Sequence, residues 1–496
     1  MVPPNKLGQS IWLALAWCAL VSACRDPVLQ APGEESLWIG RTALILQVGD
    51  TATLDAMHKP DSNALVGRPA HATWRSSDAG IASVDASGRV RAIRPGTALV
   101  SVEVDGDRDT ATVTVRDQTA LSGTSWQSVS VGNETTCAVT TTGVAYCWGG
   151  GYYGARGSGS LRAFTRVMSP LRVRTNERFA QLAVGQFHAC ASSVTGALFC
   201  WGDNARGGAG ARESGQALLL EPRVILNGVT VRGVAAGSNH SCGITSSGKA
   251  YCWGSNLFGE IGDGTAGITE FRSGPTEVRG TQQFDQIVAG EYTTCGLSTS
   301  GEAFCWGNNT WGAVGDGGPA GEATTPRRVA GDLRFRRLAA GASATCGITT
   351  TGTTYCWGIN TTYPLGIDDP SPAVRLPRRV QTDLVFREIA LGGATVCALD
   401  SIGGAYCWGA GAEGKLGTSA VDLPMCGTPR EPCSSTPVQV DGALRFAQIS
   451  VGLHATCGVT STGELFCWGS NREGQLGIGT TRATAAVPVR VPDPIN

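Results

Sequence analysis

One phrase recurs seven times in this chain: a cysteine, nine further residues, and then Cys-Trp-Gly. Successive copies begin 51 to 53 residues apart, with one longer interval of 60. A repeat of this length is one supersecondary unit that cannot bury its apolar face alone and must pack against its neighbours. The chain is therefore predicted to contain seven such units, marked by Cys137 and Cys147, Cys190 and Cys200, Cys242 and Cys252, Cys295 and Cys305, Cys346 and Cys356, Cys397 and Cys407, and Cys457 and Cys467.

Each unit contains a predicted β-hairpin, which the first copy illustrates. β-Branched and aromatic residues flank a Thr-Thr-Gly143 centre, the pattern of a three-residue loop with glycine in the left-handed position. If Thr140 and Val144 close this loop as a hydrogen-bonded pair, the two cysteines lie directly opposite each other at a non-hydrogen-bonded pair. The Cα atoms of such a pair are about 4.5 Å apart, within reach of a disulfide. We therefore predict one local disulfide in every hairpin.

Two further strands complete the predicted unit. An apolar strand ending in glycine precedes the hairpin, as in Phe284–Gly290, and a Pro-x-x-Val stretch follows it, as in Thr325–Val329. A single sheet of about four short strands cannot bury both of its faces, so the seven sheets must pack radially. This arrangement predicts a seven-bladed β-propeller.

The remaining cysteines fit the same interpretation. Of 18 cysteines, fourteen form the hairpin pairs and Cys18 and Cys24 lie near the N-terminus. Cys426 and Cys433 lie seven residues apart in the one enlarged repeat, and we expect them to pair. The nine-residue separation is not a zinc-ligand spacing and the chain has five histidines, so no metal site is expected. Buried reduced cysteine is the alternative to disulfides.

Three stretches carry a family resemblance: Gly237-Ser-Asn-His240, Tyr251-Cys-Trp-Gly-Ser-Asn256 and Trp468-Gly-Ser-Asn-Arg-Glu-Gly-Gln-Leu-Gly477. They resemble the regulator of chromosome condensation repeat, and the resemblance covers about residues 126 to 491. It implies an all-β fold with a seven-bladed propeller. It departs from the family in two ways, because cysteines replace the usual apolar hairpin residues and the repeat's histidine is present only as His188 and His240. The family uses this histidine as a structural residue of a turn, so no catalytic residue is expected.

The N-terminal residues resemble the signal peptide of a bacterial lipoprotein. Lys6 precedes an apolar run from Ile11 to Val21, and Val21-Ser-Ala-Cys24 looks like a lipobox. We expect residues 1–23 to be the signal peptide, Cys24 to carry lipid, and residues 24–36 to form a tether. Ordinary secretion with cleavage nearby and an uncleaved anchor are the alternatives. The apolar run is too short to span a bilayer of about 30 Å comfortably.

Residues 37–116 are predicted to be a small β-sandwich. Apolar strands alternate with turns every 8 to 12 residues, and Thr73-Trp-Arg-Ser-Ser-Asp78 and Pro95–Val102 resemble the bacterial immunoglobulin-like domain of surface proteins. The resemblance implies a spacer or an adhesive module, and we expect a spacer because no aromatic or charged cluster stands out. A linker, residues 117–125, leads into the propeller of residues 126–496.

Two short motifs invite other interpretations and are rejected. Gly243–Lys249 has the spacing of a phosphate-binding loop, but Ala250 replaces the magnesium-binding hydroxyl residue and its glycine is the hairpin glycine. Asp105-Gly-Asp-Arg-Asp109 has alternating carboxylates like a calcium loop, but Thr110 occupies the glycine position and the segment is an ideal turn. The net charge of −1 gives no reason to expect a nucleic-acid partner, and no cofactor is expected.

One face of the propeller is the predicted binding surface. Because the Thr-Gly hairpin turns lie at one end of each blade, the turns after Gly-x-x and after Trp-Gly share the other end. These variable turns carry an insertion, residues 418–437, and aromatic side chains, as binding surfaces on rigid scaffolds commonly do. Local packing under neighbouring loops is the alternative. The candidate binding residues are Tyr152, Tyr153, Phe187, Phe258, Tyr292, Trp311 and Tyr363, of which Tyr153, Phe258 and Trp311 are expected on adjoining blades along one arc.

These features predict a surface-anchored, monomeric, non-enzymatic binding protein outside the bacterial cytoplasm, on the outer membrane or cell surface. The propeller face is expected to recognise a protein or a glycan. By resemblance, one alternative is an inhibitor of a secreted enzyme, because bacterial relatives include a propeller that inhibits β-lactamases. Another is a regulator like the family's guanine-nucleotide exchange factor for Ran, although an extracytoplasmic protein has no GTPase or GTP to act on.

Overall fold

The computed structural model describes residues 37–494, except residues 40–42, 48–50, 59–68, 70, 117–123, 160–165, 212–215, 227, 362–364, 368, 421–422, 427–429 and 481. Backbone contacts divide the chain into two compact units, residues 1–121 and 122–496. The predicted signal peptide, Cys18, the predicted lipidation site Cys24 and the predicted tether lie outside the described residues, as does most of the predicted linker. Within the described ranges, no helix has the length and apolar character that crossing a membrane requires.

The first unit is the predicted immunoglobulin-like β-sandwich. One sheet has the strand order β2-β9-β8-β5, with β2 parallel to β9, and the remaining strands form the sheets β3-β7-β6 and β1-β4. Alternation along the strands buries one side of each sheet, including Val90, Val100 and Val113. The described strands are β1 (Leu37–Ile39), β2 (Ala43–Gln47), β3 (Thr51–Thr53), β4 (Ala56–His58), β5 (Thr73–Ser76), β6 (Ala82–Val84), β7 (Arg89–Ala92), β8 (Gly96–Val104) and β9 (Asp107–Arg116).

The acidic segment Asp105–Asp109 contains the hairpin turn between β8 and β9, as predicted. The two central residues of this turn, Asp105 and Gly106, have φ angles of 50° and 96°. Two consecutive positive φ angles are the signature of the tight turn that suits the twist of paired strands.

The second unit is the predicted seven-bladed propeller. Each of the seven sheets is built from consecutive antiparallel strands, four in most blades and five in the sixth. Blades 1 to 3 consist of β10 (Trp126–Val131), β11 (Thr135–Thr140), β12 (Ala145–Gly149) and β13 (Val167–Arg172); β14 (Phe179–Val184), β15 (His188–Ser193), β16 (Leu198–Asp203) and β17 (Leu218–Leu226); and β18 (Val231–Ala236), β19 (His240–Thr245), β20 (Ala250–Ser255) and β21 (Phe271–Glu277).

Blades 4 to 7 continue the same order. They consist of β22 (Phe284–Ala289), β23 (Thr293–Ser298), β24 (Ala303–Asn308) and β25 (Glu322–Arg328); β26 (Phe335–Ala340), β27 (Ala344–Thr349), β28 (Thr354–Ile359) and β29 (Ala373–Arg379); β30 (Phe386–Gly392), β31 (Thr395–Asp400), β32 (Ala405–Ala410), β33 (Met425–Cys426) and β34 (Glu431–Gln439); and β35 (Phe446–Val451), β36 (Ala455–Thr460), β37 (Leu465–Ser470) and β38 (Thr484–Arg490). Two short 3-10 turns, Tyr152–Gly154 and Ala412–Gly414, follow β12 and β32.

The predicted disulfides are present in every hairpin. In the first blade Cys137 lies directly opposite Cys147, and in all seven hairpins the bonded cysteines have Cα atoms 4.1 Å apart. The predicted pair in the enlarged repeat, Cys426 with Cys433, is also bonded. The hairpin bonds join Cys137 with Cys147, Cys190 with Cys200, Cys242 with Cys252, Cys295 with Cys305, Cys346 with Cys356, Cys397 with Cys407, and Cys457 with Cys467.

The hairpin loop closes almost as predicted. Gly143 has a φ of 81°, as expected for its left-handed position. The closure differs from the expected pair in one respect: the Thr140 amide donates to the Val144 carbonyl at 2.9 Å, but the Val144 amide donates to the Thr140 hydroxyl at 3.1 Å. The threonine side chain thus takes the place of its own carbonyl as the acceptor.

Buried tryptophans join each blade to the one before it. The side chain that follows the second hairpin cysteine is fully buried in every blade. In six blades its indole Nε1 donates to a backbone carbonyl of the preceding blade, as from Trp201 to Ala155 at 2.8 Å and from Trp306 to Glu260 at 2.8 Å. Burying the ring while satisfying its one donor lets these tryptophans seal a junction without leaving a buried donor unpaired.

The centre of the propeller is a ring of glycines. A Cβ atom on Gly132 would collide with the carbonyl oxygen of Gly185, and a Cβ atom on Gly185 would collide with the carbonyl oxygen of Gly237. At the end of the ring, a Cβ atom on Gly452 would collide with the carbonyl oxygen of Gly132. Only glycine allows backbones to approach this closely. The last contact joins blade 7 to blade 1, and both of these blades consist only of strands that are consecutive in the chain. The ring is therefore closed without exchange of a strand.

Candidate functional site

Two turns of every blade lie at the same end and are hydrogen-bonded to each other. The Asp203 amide donates to the Phe187 carbonyl at 2.9 Å, and the Asn308 amide donates to the Tyr292 carbonyl at 2.8 Å. Together these turns form what we call the turn face. In the described parts of the chain it comprises residues 133–134, 186–187, 238–239, 291–292, 342–343, 393–394 and 453–454. It also comprises residues 150–159, 166, 203–211, 216–217, 255–270, 308–321, 359–361, 365–367, 369–372, 410–420, 423–424, 470–480 and 482–483.

Four of the candidate aromatic residues form pairs across blade junctions. Tyr153 of blade 1 packs on Phe187 of blade 2, with ring centroids 4.9 Å apart, and Phe258 of blade 3 packs edge-on against Tyr292 of blade 4 at 5.4 Å. In both pairs, a residue five positions after one blade's tryptophan meets a residue two positions after the next blade's ring glycine. Phe187, Phe258 and Tyr292 are consequently half-buried, so local packing accounts for part of this set.

Two candidates present much of their side chains to solvent. Tyr153 is 45% exposed and Trp311 is 37% exposed, whereas Tyr152 is half-buried. Tyr363 lies outside the described residues.

The expectation that Tyr153, Phe258 and Trp311 lie on adjoining blades was wrong, because Tyr153 lies on blade 1 while Phe258 and Trp311 lie on blades 3 and 4. The equivalent residue of blade 2 is Arg206, so the arc is interrupted.

Sequence reasoning missed two apolar residues beside this arc. Ile268 and Phe271 are 78% and 51% exposed, at the loop after β20 and the start of β21. The signal was an enlarged glycine-containing loop in blade 3 with an isoleucine among polar residues, Asp263–Glu270. These residues extend the apolar part of the turn face outward from Phe258.

The other half of the turn face carries charged residues at the same two repeat positions. Glu413 of blade 6 pairs with Arg472 at 2.7 Å and lies 4.0 Å from His454 of blade 7. Glu473 of blade 7 pairs with Arg166 at 3.0 Å. Burial, together with the neighbouring Glu473, raises the pKa of the Glu134 carboxyl. Sequence reasoning also missed these residues. A signal was present, because Glu413 and Glu473 each lie five positions after their blade's tryptophan, where blades 1, 3 and 4 carry an aromatic ring.

Backbone strain is present where the turns present their side chains. Tyr153 and Glu413 occupy equivalent positions in blades 1 and 6 and have φ angles of 63° and 58°. A non-glycine residue in the left-handed region costs energy and persists only where its surroundings impose it. The scaffold therefore holds both side chains in defined positions.

A buried carboxylate supports the turn that carries Phe258. One oxygen of Glu260 accepts the Phe258 amide hydrogen at 2.8 Å, and burial raises the pKa of Glu260 to about 7. In blade 7 the neutral Gln475 does the same for the Glu473 amide at 2.9 Å. Since an amide serves equally, Glu260 has a structural role.

The two repeat histidines join neighbouring blades. Nε2 of His188 is hydrogen-bonded to the Ser241 hydroxyl at 2.7 Å, and Nε2 of His240 to the Thr294 hydroxyl at 2.9 Å. Burial lowers the pKa of His188 to about 4 and that of His240 to about 3. Both rings are therefore neutral at physiological pH and act as parts of the junctions. In the part of the chain that the structure describes, no group of three or more His, Cys, Asp or Glu side chains could hold a metal ion.

Comparison with known families gives matches over both units. The family model described as "RCC1-like domain" matches residues 94–388, and models of the regulator of chromosome condensation (RCC1) repeat match residues 446–475 and 462–496. The bacterial Ig-like domain (group 2) matches residues 36–115.

Individual relatives are distant but extensive. The ultraviolet-B receptor UVR8 of Arabidopsis thaliana is 26% identical over 360 residues, which is 71% of this chain and 78% of the receptor. The E3 ubiquitin-protein ligase HERC2 of Homo sapiens is 28% identical over 357 residues, 69% of this chain but 7% of that protein.

Solved structures share the fold of the propeller. Human WBSCR16 superposes with a TM-score of 0.63 at 22% identity, covering 71% of this chain and 94% of that one. Yeast RCC1 (Prp20), in its complex with Kap60, gives a TM-score of 0.63 at 22% identity, covering 75% of this chain and 85% of that one.

Proposed function

This chain belongs to the RCC1-like domain family, and we propose from this that its propeller is a non-enzymatic module that binds a protein through the turn face. One observation carries the proposal: exposed aromatic rings stand on variable turns, above blades that a disulfide closes individually. Large rings on rigid supports bind at low cost in conformational entropy, which is why aromatic residues dominate binding hot spots.

The composition of the turn face favours a protein over a glycan. Apolar anchors occupy blades 1 to 4, and paired charges occupy the junctions between blades 6, 7 and 1. Apolar anchors combined with charged groups that set orientation are typical of protein interfaces. Among proteins with this fold, the yeast protein Prp20p is described by its binding to Gsp1p and histones, and its example supports a protein ligand here.

The aromatic residues provide the direct test of this proposal. Replacing Tyr153, Phe258 and Trp311 together by alanine should weaken capture of the partner about a hundredfold or more, since buried aromatic anchors commonly contribute about 2 kcal/mol each. Thermal stability should fall only modestly, because the side chains lie on turns and the two aromatic pairs that are lost contribute about 0.5 to 1.5 kcal/mol each. Affinity is measured against a partner captured from the organism's surface fraction with the full chain.

The matched control changes the opposite end of the blades. Thr141, Thr195 and Thr351 are exposed on the hairpin turns, and their replacement by alanine should leave binding unaltered. Retained binding in the aromatic variant with loss in the threonine variant would refute the assignment. Competition by a glycan, but by no protein, would show the alternative ligand class.

Anchoring at the cell surface is part of the same proposal. A lipid on Cys24 would hold the protein at a bacterial membrane outside the cytoplasm, with the immunoglobulin-like unit as a spacer for a monomeric propeller. Cys24→Ser should move the protein from the detergent phase to the aqueous phase in detergent phase separation. A variant that partitions like the parent would exclude a lipid at this residue.

A further inference from the structure

A small well lies at the centre of the turn face, inside the glycine ring. It has a volume of about 100 Å³ and is lined by three residues from each of the seven blades. In each blade these are the ring glycine, the residue before it and the residue after it. Because the ring glycines leave no room for a Cβ, the space cannot be filled by side chains from its own floor.

The residues that follow the ring glycines give the well two different sides. Blades 1 to 4 contribute the polar residues Asn133, Gln186, Ser238 and Glu291, whereas blades 5 and 7 contribute Ala342 and Leu453. Among the described residues that line the well, none is a lysine or an arginine. The wall therefore offers a carboxylate and amide oxygens but no cation.

One of these acceptors, the Glu291 carboxylate, lacks a partner in the described part of the chain. Glu291 is half-buried and forms no ion pair among the described residues, and burial raises the pKa of its carboxyl. The side-chain oxygen of Asn133 also receives no hydrogen bond from any described residue, but it is shielded from solvent and so does not face the well. A half-buried carboxylate without a counter-charge favours a ligand that carries positive charge and donates hydrogen bonds.

The size of the well restricts the shape of that ligand. The volume of about 100 Å³ is well below the roughly 300 Å³ or more of small-molecule pockets. A guanidinium group is small, positively charged and planar, and its five N–H donors point in several directions at once. These donors suit the Glu291 carboxylate together with the oxygens of other polar residues in the wall, such as Gln186 and Ser238.

We propose that the central well receives the guanidinium group of an arginine side chain, presented by the protein that docks on the turn face. The inference deepens the proposed function and rests on it for the source of the arginine. The glycine ring leaves space for the group, and Glu291 provides the counter-charge. Such an arginine would be the central contact of the interface.

The test uses N-acetyl-L-argininamide as probe and requires no knowledge of the partner. Titration of the full chain, followed by calorimetry or ligand-observed NMR, should show saturable binding of one equivalent. Glu291→Gln should weaken the probe about tenfold or more, because a charge-assisted hydrogen bond contributes about 1.5 to 3 kcal/mol. N-acetyl-L-citrullinamide, which has the same shape without the charge, should bind at least about tenfold more weakly.

Three comparisons complete the design. Glu322→Gln, on the outer strand at the same end of blade 4, removes a carboxylate outside the well and should leave the probe's affinity unchanged. Free L-arginine should bind no better than the amide; a strong preference for it would indicate a free amino acid as the ligand and refute the proposal. No saturable binding to the parent, or equal binding to Glu291→Gln, would also refute it. The triple aromatic variant should keep the probe, so failure of the well and failure of the turn face are distinguishable.

Discussion

At the scale of single residues, the two repeat histidines show how this scaffold uses polar groups. Each lies in a junction, with Nε2 on a hydroxyl of the next blade, and each is too well buried to take up a proton readily. The resemblance had implied a structural role, but the bonding partner was not predictable from the sequence. Ser241 and Thr294 precede the first cysteine of the next repeat, and only the packing of adjacent blades brings them to the histidines.

This burial has a consequence for stability against pH. Burial lowers the pKa of His188 to about 4, whereas the ordinary value in an unfolded chain is about 6.5. Between these values the unfolded chain binds a proton that the folded chain does not, so the folded state is destabilised as the pH falls from about 6.5 to about 4. The loss is about 3 kcal/mol at most, at about 1.36 kcal/mol per pKa unit.

His188→Gln should remove this part of the pH dependence. Urea unfolding at a series of pH values should show that the free energy of unfolding falls more steeply for the parent than for His188→Gln as the pH is lowered toward 4. The two free energies should therefore converge. His454→Gln, on the turn face, serves as the control and should change the dependence of the unfolding free energy on pH less. Parallel curves for parent and His188→Gln would contradict the assignment of a neutral, buried ring.

At the scale of elements, the hairpins were predictable and the junctions were not. The alternation of hydrogen-bonded and non-hydrogen-bonded pairs on either side of the Gly143 turn was sufficient to place Cys137 opposite Cys147. The register of a hairpin depends on local sequence and turn geometry, so it is predictable from the sequence. The bond from the Trp201 indole to the Ala155 carbonyl joins residues 46 positions apart. It depends on the angle between blades, which no local pattern encodes.

The junction that closes the ring offers a matched experiment. The side-chain amide of Gln448 on β35 accepts from the Val129 amide at 2.9 Å and donates to the Val129 carbonyl at 3.0 Å, joining blade 7 to blade 1. Gln286 makes the same two bonds to Leu338 between blades 4 and 5, at 2.9 and 3.0 Å. The chain runs directly from blade 4 to blade 5 but not from blade 7 to blade 1.

Gln448→Ala should therefore be the more damaging of two chemically identical changes. Each variant leaves two backbone groups unpaired and should lose roughly 2 kcal/mol, but only the closing junction can separate without stretching the chain. We expect limited proteolysis to cleave blade 7 of Gln448→Ala several-fold faster than any blade of Gln286→Ala. Equal rates for the two variants would show that the ring does not open at this junction.

At the scale of the whole molecule, the propeller places unlike residues at equivalent positions around one face. The position five residues after the tryptophan carries Tyr153, Arg206, Phe258, Trp311, Glu413 and Glu473 in the six blades where the structure describes it. The sequence was sufficient to assign these turns to one end of the blades, since strand direction alternates. It did not reveal that such residues meet a turn of the following blade, because that pairing arises only when the ring closes. The face is consequently apolar on one side, charged on the other, and acceptor-rich at its centre.

Hydrogen–deuterium exchange of the full chain, with and without its captured partner, locates the binding surface. We expect slower exchange on binding in peptides of the turn face, foremost residues 151–159, 186–187, 256–271, 291–292 and 309–317. Peptides that cover the hairpin turns, residues 141–143, 194–196 and 350–352, should exchange at the same rate in both states. Protection of the hairpin turns or of the immunoglobulin-like unit, with the turn face unchanged, would show that the partner does not bind through the turn face.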